Sequence, residues 1–445
     1  MIITNNIKKT YLTILVLLFF AAAPPVLLAK YGYIDITNPF IRKIPLGIPL
    51  LKTFSKNHQE PMMAKKTADL ISETLQFTGY FKLLDRSSFL EFPQKSGITA
   101  TNIKFKNWTS IGAELLITGG LLIKGDKIEM ELRLYDTFKK QLLTGKRYKG
   151  KTKDYRRIVR RFCSRVIFKL TKNKGFFNSK IAFVSTGTGN KEIYICDFDG
   201  YNPKKFTNSR NITLSPAWSS NGKWLAYTSY MKKHPDLYIK NLISRHGTIV
   251  AQKGINTSPA WVPGKFELAA TFSFTGDQDI HLLTGKGKFI KKLTKNRGID
   301  SSPSWSPSGK MFAFVSKRSG TPQIYIKNLV TGNVIRLTFN GKYNTQPSWS
   351  PGGNKITYSS MTRQGTDIYV IDVNGNNLTR LTSSKGDNES PSWAPDGSLI
   401  AFSSTRKGGI PRIYIMTAYG TDQRQLLSVP GQQTSPAWSP EIMNN

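Results

Sequence analysis

The stretch Ser-Pro-Ser-Trp-Ser-Pro-Ser-Gly-Lys at residues 302–310 is one copy of a motif that recurs along the second part of the chain. Its centre, Ser/Gln-Pro-Ala/Ser-Trp, contains six of the eight tryptophans. They are Trp218, Trp261, Trp305, Trp349, Trp393 and Trp438, separated by 43, 44, 44, 44 and 45 residues. A repeat of this length and regularity indicates a solenoid or a β-propeller.

Three further segments of each repeat predict β-strands. After the turn at 307–310, Met311–Ser316 and Gln323–Asn328 are rich in β-branched and aromatic residues, and 334–338 follows a Thr-Gly-Asn turn. The later copies keep this order, and no helical period is visible after residue 180. Four strands per repeat are typical of a propeller blade rather than of an ankyrin or tetratricopeptide unit.

The phase of the repeats predicts how the ring closes. The first set of three strands, beginning at residue 181, has no Trp strand before it, and the last Trp strand, at 435–439, has no such set after it. Joined together, they complete a sixth blade and leave no open sheet edge. We therefore predict an all-β, six-bladed propeller at 180–440, with each repeated Trp packed between adjacent blades.

Residues 44–172 have the mixed pattern of a small α/β domain, which makes the chain a multi-domain protein. A helix is predicted between Pro61 and Gly79, a hairpin around 124–126, and a second helix capped by Asp154. One face of the second helix is basic. It carries Arg156, Arg157, Arg160, Arg161, Arg165 and Lys169, and we interpret it as solvated. A linker at 173–179 and a C-terminal tail at 441–445 complete the predicted organisation.

Residues 1–29 are predicted to be a cleaved signal peptide, with Ala29 at the cleavage site. Two lysines precede an apolar run at 11–23, which the pair of prolines at 24–25 interrupts. A membrane span would need about 20 apolar residues without such a break. An uncleaved membrane anchor is the alternative. Cleavage would place the protein in the periplasm with an extended N-terminal tail at 30–43.

The charge of the chain is strongly unbalanced, with 64 Lys and Arg against 27 Asp and Glu and a formal net charge of +37. This composition suggests nucleic acid, an anionic membrane surface or an acidic partner. A surface that is basic throughout is the other interpretation, and secretion disfavours nucleic acid. The two cysteines, Cys163 and Cys196, fall in different predicted domains, and we predict buried free thiols.

No sequence pattern of a catalytic, metal or cofactor site is present. There is no Gly-x-Ser-x-Gly and no phosphate-binding Gly loop. The histidines are scattered, at His58, His234, His246 and His281. One repeat position alternates in charge, and we interpret it as surface variation: Glu192, Asp236, Asp279, Gln323, Asp367 and Arg412. We predict neither catalysis nor a bound cofactor.

The polar loops that lead into the six Trp strands form the predicted binding site. Equivalent positions of a propeller lie on one rim, so these loops converge at one mouth of the channel. They differ between copies, as expected where a scaffold holds a binding site, although ordinary loop drift is the alternative. The predicted contact residues are Arg210, Asn211, Asn256, Thr257, Arg297, Asp300, Tyr343, Asn344, Thr345, Asn388, Glu389, Gln433 and Thr434.

Taken together, the secretion signal, the α/β domain and a ring that ends in Ser-Pro-Ala-Trp-Ser-Pro at 435–440 resemble the TolB family of periplasmic propellers of the Tol-Pal system. Asp-Phe-Asp-Gly-Tyr-Asn at 197–202 is similar to a turn of that family. The resemblance implies a non-enzymatic adaptor that supports outer-membrane integrity and cell division. It implies that a Pal-like peptidoglycan-associated lipoprotein binds at the propeller mouth, which phages and colicins exploit in some relatives.

The resemblance also implies that the N-terminal tail binds a TolA-like inner-membrane protein. The tail residues are Tyr31, Gly32, Tyr33, Ile34, Asp35 and Ile36. An extended segment of this kind can add a strand to a partner's sheet, whereas a frayed terminus is the alternative. We expect a monomer that meets the outer membrane through its partners. The competing hypotheses are a propeller hydrolase or polysaccharide lyase, and a glycan-binding propeller. The strongly basic charge and the less acidic tail depart from the family pattern.

Overall fold

The computed structural model describes residues 42–55, 57–383 and 386–442. The predicted signal peptide with Ala29, and the tail residues 31–36, lie outside the described residues. Within those described ranges, no helix combines the length and the apolar character needed to cross a bilayer.

The first domain packs two long helices against a six-stranded sheet. Its helices are α1 (Gln59–Gln76), α2 (Pro93–Ser96), α3 (Phe105–Ser110) and α4 (Tyr155–Thr171). Its strands are β1 (Ile44–Gly47), β2 (Lys52–Thr53), β3 (Phe81–Leu83), β4 (Leu115–Lys124), β5 (Lys127–Asp136) and β6 (Gln141–Lys151). The sheet order is β3-β1-β4-β5-β6, with β2 paired to β4, and the predicted hairpin is β4–β5.

Each long helix has an apolar side that faces this sheet. The apolar face of α1, which includes Ala68 and Ile71, is buried. Asp154 occupies the N-cap position of α4, as predicted, but its side chain makes no bond to the helix. Its carboxylate instead accepts from the backbone N–H of Lys151 at 3.3 Å. Cys163 on α4 and Cys196 in the propeller are free and buried, as predicted, and burial raises the pKa of both thiols.

The propeller consists of six four-stranded antiparallel blades, which confirms the predicted fold class. Blades 1 to 3 are β10 (Thr213–Trp218), β11 (Trp224–Ser229), β12 (Asp236–Asn241), β13 (Gly247–Val250); β14 (Asn256–Trp261), β15 (Glu267–Phe272), β16 (Asp279–Thr284), β17 (Phe289–Lys292); and β18 (Asp300–Trp305), β19 (Met311–Ser316), β20 (Gln323–Asn328), β21 (Val334–Arg336). Blades 4 and 5 are β22 (Asn344–Trp349), β23 (Lys355–Thr362), β24 (Gly365–Asp372), β25 (Thr379–Arg380); and β26 (Asn388–Trp393), β27 (Leu399–Ser404), β28 (Arg412–Thr417), β29 (Arg424–Gln425).

Blade 6 is completed by the C-terminal end of the chain. It consists of β30 (Gln433–Trp438), β7 (Lys180–Thr188), β8 (Asn190–Asp197) and β9 (Lys204–Lys205). In the register of this closure, Gln433 pairs with Ser185 and Trp438 with Ile181. The predicted clasp is therefore confirmed, and the edge of β7 is covered by the last strand of the chain.

The repeated Trp side chains pack between blades, as predicted. All six are 6–8% exposed. Trp261 of blade 2 packs with Ala226 and Leu237 of blade 1, and its indole N–H donates to the carbonyl of Ala217 at 3.1 Å. The indole thus buries a large apolar area and satisfies its one polar atom in the neighbouring blade.

Helix α4 holds the first domain against blade 6. Arg156 forms an ion pair with Asp199 at 2.7 Å, and Arg160 forms one with Asp197 at 2.8 Å. Beneath these pairs, the ring of Phe77 in the first domain packs edge-on against Phe198 of blade 6. The interpretation of the basic face as solvated is therefore wrong for Arg156 and Arg160, because their guanidinium groups bind acids of the propeller.

Candidate protein-binding site

The first strand of each blade is its inner strand, and the six inner strands are β10, β14, β18, β22, β26 and β30. Each inner strand runs from one rim of the ring to the other and contacts the inner strand of the adjacent blade. In blade 1 the first residue of this strand, Thr213, pairs with Ser229 at the end of β11. The loops before the inner strands and after the second strands therefore share one rim, which we call the open rim. The turns after the Trp residues and after the third strands form the domain-facing rim, which contacts the first domain at Asp197, Asp199 and Asp422.

All six inner strands contain a β-bulge just below the open rim. The pairing with the second strand shifts register after the second residue of each inner strand. The third residue has a φ between 50° and 56°, a left-handed conformation that is uncommon for residues with a side chain. These residues are Ser215, Ser258, Ser302, Gln346, Ser390 and Ser435. The bulge bends the strand and turns the chain above it toward the rim.

The predicted contact residues all lie at the open rim, but their accessibility differs. Four are exposed: Arg210, Arg297, Tyr343 and Glu389. Four are partly exposed: Asn211, Thr257, Thr345 and Thr434. Five are buried: Asn256, Asp300, Asn344, Asn388 and Gln433. The first two groups alone can contact a partner in this structure.

The buried group occupies the first position of the inner strands, where its side chains form hydrogen bonds within the ring. The amide of Asn388 donates to Asp367 at 3.0 Å, and that of Asn344 donates to Gln323 at 2.7 Å. The sequence could not separate these residues from the exposed ones, because Asn and Asp are typical both of loops and of buried polar networks. The candidate site is narrower than the predicted one.

The start of the third strand is buried as well, so its interpretation as surface variation is wrong. Glu192, Asp236, Asp279, Gln323 and Asp367 are at most 3% exposed. The hydroxyl of Thr382 donates to Asp367 at 2.6 Å, and that of Thr338 donates to Gln323 at 2.8 Å. These acceptors join the end of one blade to the start of the next, which explains why the position is polar. In blade 5 Arg412 donates instead to the carbonyl of Val429 at 2.8 Å.

Two arginines of the open rim were missed by the sequence analysis. Arg318 donates to Asp300 at 3.0 Å, and Arg406 donates to Asn388 at 2.8 Å. Each also lies over an aromatic ring of its own blade, and each Nε donates to the serine two residues before it at 2.8 Å. A Ser-x-Arg sequence at the same place in two repeats was the available signal. Their hydrogen bonds hold the first residues of the inner strands β18 and β26 in place.

Glu389 is an acid of the open rim and the second residue of the inner strand β26. Glu389 is exposed as a whole, but partial desolvation of its carboxyl and the nearby Asp387 raise the pKa of Glu389. The inner strands thus contain acids at Asp300 and Glu389. Asp300 is paired with Arg318, so it is not free to act on a substrate.

The histidines do not assemble into a site. His281 is 5% exposed among the rings of Phe272, Phe274 and Phe289, and burial lowers its pKa. In the described ranges, no three His, Cys, Asp or Glu side chains are arranged to hold a metal ion. Among the predicted contact residues, the open rim offers four exposed side chains, two cationic, one aromatic and one acidic, on a hydrogen-bonded framework.

Comparison with known protein families finds models that match both domains. The family model described as the TolB beta propeller domain matches residues 168–442, and the TolB amino-terminal domain matches residues 32–143. The chain belongs to the TolB family. Both domains of the family are thus present in the order seen in the structure.

Relatives and solved structures agree with this assignment. A Tol-Pal system protein TolB from Desulfosudis oleivorans is 54% identical over 284 residues, which are 64% of this chain and 65% of that protein, so just under two thirds of its length is matched. A TolB homologue from Chlorobaculum tepidum is 43% identical over 250 residues, 56% of each chain. The crystal structure of TolB from Acinetobacter baumannii superposes with a TM-score of 0.79 at 27% identity and covers 90% of this chain and 97% of that one.

Proposed function

We propose that this chain is a non-enzymatic periplasmic adaptor of a Tol-Pal system. A Pal-like lipoprotein binds the open rim, and a TolA-like inner-membrane protein binds the N-terminal tail. Through these two contacts the chain supports outer-membrane integrity and cell division. Family membership supports this proposal, since relatives carry the name Tol-Pal system protein TolB.

The observation that carries the proposal is the construction of the open rim. Arg210, Arg297 and Tyr343 are exposed, and arginine and tyrosine are among the residue types that dominate protein interfaces. Each stands on a loop whose base is bonded to a buried acceptor. The backbone N–H of Arg210 donates to Glu192 at 3.0 Å. The loop of Arg297 is held by Thr294, which donates to Asp279 at 3.1 Å, and that of Tyr343 by Asn344, which donates to Gln323 at 2.7 Å. Because the loops are already held in place, little conformational entropy is lost when a protein partner binds them. Loops that had to become ordered on binding would weaken the affinity.

The contact with the TolA-like protein is proposed for residues 31–36. Their alternating Tyr, Ile and Asp side chains suit an extended strand that adds to an exposed sheet edge of a partner. The tail and the open rim are separate sites in this proposal. Loss of one partner contact should therefore leave the other intact.

The test uses the full chain as bait in a solubilised envelope extract, with bound proteins identified by mass spectrometry. We expect a peptidoglycan-associated lipoprotein and a TolA-like protein to be retained. Deletion of residues 30–36 should remove the TolA-like protein and keep the lipoprotein. Retention of envelope glycan without either protein would instead identify a glycan-binding propeller.

A further inference from the structure

The domain-facing rim has two unlike halves. In blades 5 and 6 its turns carry acids, and three of these, Asp197, Asp199 and Asp422, form ion pairs with Arg160, Arg156 and Lys43 of the first domain. The turns of blades 1 to 3 on the same rim are 219–223, 242–246, 262–266, 285–288, 306–310 and 329–333. These six turns contain no Asp or Glu. We call them the basic half-rim.

The basic half-rim combines cations with exposed apolar side chains. Its cations are Lys223, Arg245, Lys265, Lys286, Lys288 and Lys310. All six are exposed, and Lys265 lies 4.0 Å from Glu267 of β15. The excess of positive charge on this half of the rim therefore faces solvent without the acids that neutralise the other half.

Two apolar side chains project from this surface on turns of the same construction. Ile243 is 90% exposed and Val330 is 74% exposed. The backbone N–H of Ile243 donates to the side chain of Asn241 at 2.9 Å, and that of Val330 donates to Asn328 at 2.8 Å. Both turns are thus closed by a side-chain bond that holds the apolar residue outward.

We infer that the basic half-rim docks on a lipid bilayer that contains anionic phospholipid. Lysine ammonium groups would bind the headgroup phosphates, while Ile243 and Val330 would enter the boundary between headgroups and acyl chains. Membrane binding of this kind depends on both electrostatic attraction and buried apolar area. An acidic glycan satisfies the charge but offers no acyl region, so the apolar tips favour the bilayer over a glycan. This contact is independent of the partners proposed for the open rim.

The experiment measures co-sedimentation of the full chain with vesicles of phosphatidylethanolamine and phosphatidylglycerol. The test variant replaces Lys265, Lys286, Lys288 and Lys310 by Gln. The matched control replaces Lys253, Lys295, Lys317 and Lys342, which are exposed on the open rim of the same blades. We expect the test variant to lose at least about tenfold in vesicle affinity and the control, with the same net charge, to lose far less.

A second pair of variants separates a bilayer from other polyanions. Ile243→Ser with Val330→Ser should weaken vesicle binding and leave binding to soluble polyglutamate unchanged. Met361→Ser with Ile410→Ser, exposed apolar residues outside the basic half-rim, is the control. Equal losses in the two lysine variants, no binding to anionic vesicles, binding to phosphatidylcholine vesicles of equal strength, or a serine pair that binds vesicles like the native chain would each overturn the inference.

Discussion

The open rim and the domain-facing rim are built from the same six repeats, yet their polar side chains have different partners. On the domain-facing rim of blades 5 and 6, Asp197, Asp199 and Asp422 bind cations of the first domain. On the open rim, the buried polar side chains form hydrogen bonds within the ring, as Asn388 does when it donates to Asp367. The exposed side chains of the same rim, such as Arg297 between blades 2 and 3, are not part of these buried hydrogen bonds.

This difference teaches how a repeat protein frees one surface for binding. A position that must satisfy a buried bond keeps its polarity in every blade, whereas an exposed loop residue on the same rim can vary at little cost in stability. We therefore expect substitutions to fall into two groups, those that change stability and those that change binding. Changes in the buried network and in the domain contacts should alter the free energy of unfolding, and changes on the exposed open rim should alter binding.

The largest effect on stability is expected from the clasp of blade 6. Deletion of residues 435–445 removes most of β30, uncovers the edge of β7 and takes Trp438 out of the inter-blade core. We expect the free energy of unfolding to fall by at least about 4 kcal/mol. Denaturant titration measures this, with deletion of 443–445 as the control. A truncated chain that unfolds at the native midpoint would refute the clasp.

The next effect concerns the network beneath the open rim. Asp367→Ala removes an acceptor that Thr382, Asn388 and Arg380 share. We expect a loss of about 3 kcal/mol in the free energy of unfolding, because buried donors lose their bonds. Glu389→Gln, on the exposed side of the same rim, is the matched control and should change stability by less than about 0.5 kcal/mol. Similar losses in both variants would contradict the division between network and surface.

A smaller effect is expected at the domain-facing rim. Arg160→Ala removes the cation that lies 2.8 Å from Asp197 and stacks over Phe198. Since both partners of this pair are largely shielded from solvent, we expect a loss of about 2 kcal/mol. Arg161→Ala, one position along the same helix and exposed, should change the free energy of unfolding by less than about 0.5 kcal/mol. Equal stability of the two variants would show that α4 does not depend on these ion pairs.

Glu441, three residues after Trp438 in the closing strand β30, should make the free energy of unfolding depend on pH. Burial raises its pKa to about 7, although Asn178 donates to the carboxylate at 2.7 Å. An unfolded Glu titrates near about 4.3, so between these values the folded state binds the extra proton and stability falls as pH rises. Unfolding of the native chain and of Glu441→Gln should be compared across this range. We expect the variant's relative stability to increase with pH; a constant difference would contradict the raised pKa.

The sequence predicted the ring well because its information is periodic. The 44-residue spacing of the Trp motif and the missing first and last strands were sufficient for six blades and for the clasp of β30 on β7. The division of the open rim could not be predicted, since Asn388 and Glu389 are adjacent polar residues whose burial depends on the next blade. The contacts of Arg156 and Arg160 were missed for the same reason, as their acids lie in another domain.

The most direct test of the account is lipoprotein binding at the open rim. The soluble domain of the peptidoglycan-associated lipoprotein is titrated against the native chain, against Arg297→Ala with Tyr343→Ala, and against Lys286→Ala with Ile243→Ala on the domain-facing rim. We predict that the open-rim pair loses at least about tenfold in affinity with an unchanged free energy of unfolding, and that the other pair binds like the native chain. Native affinity in the open-rim pair, or equal losses in both pairs, would contradict the assignment of this rim as the binding site.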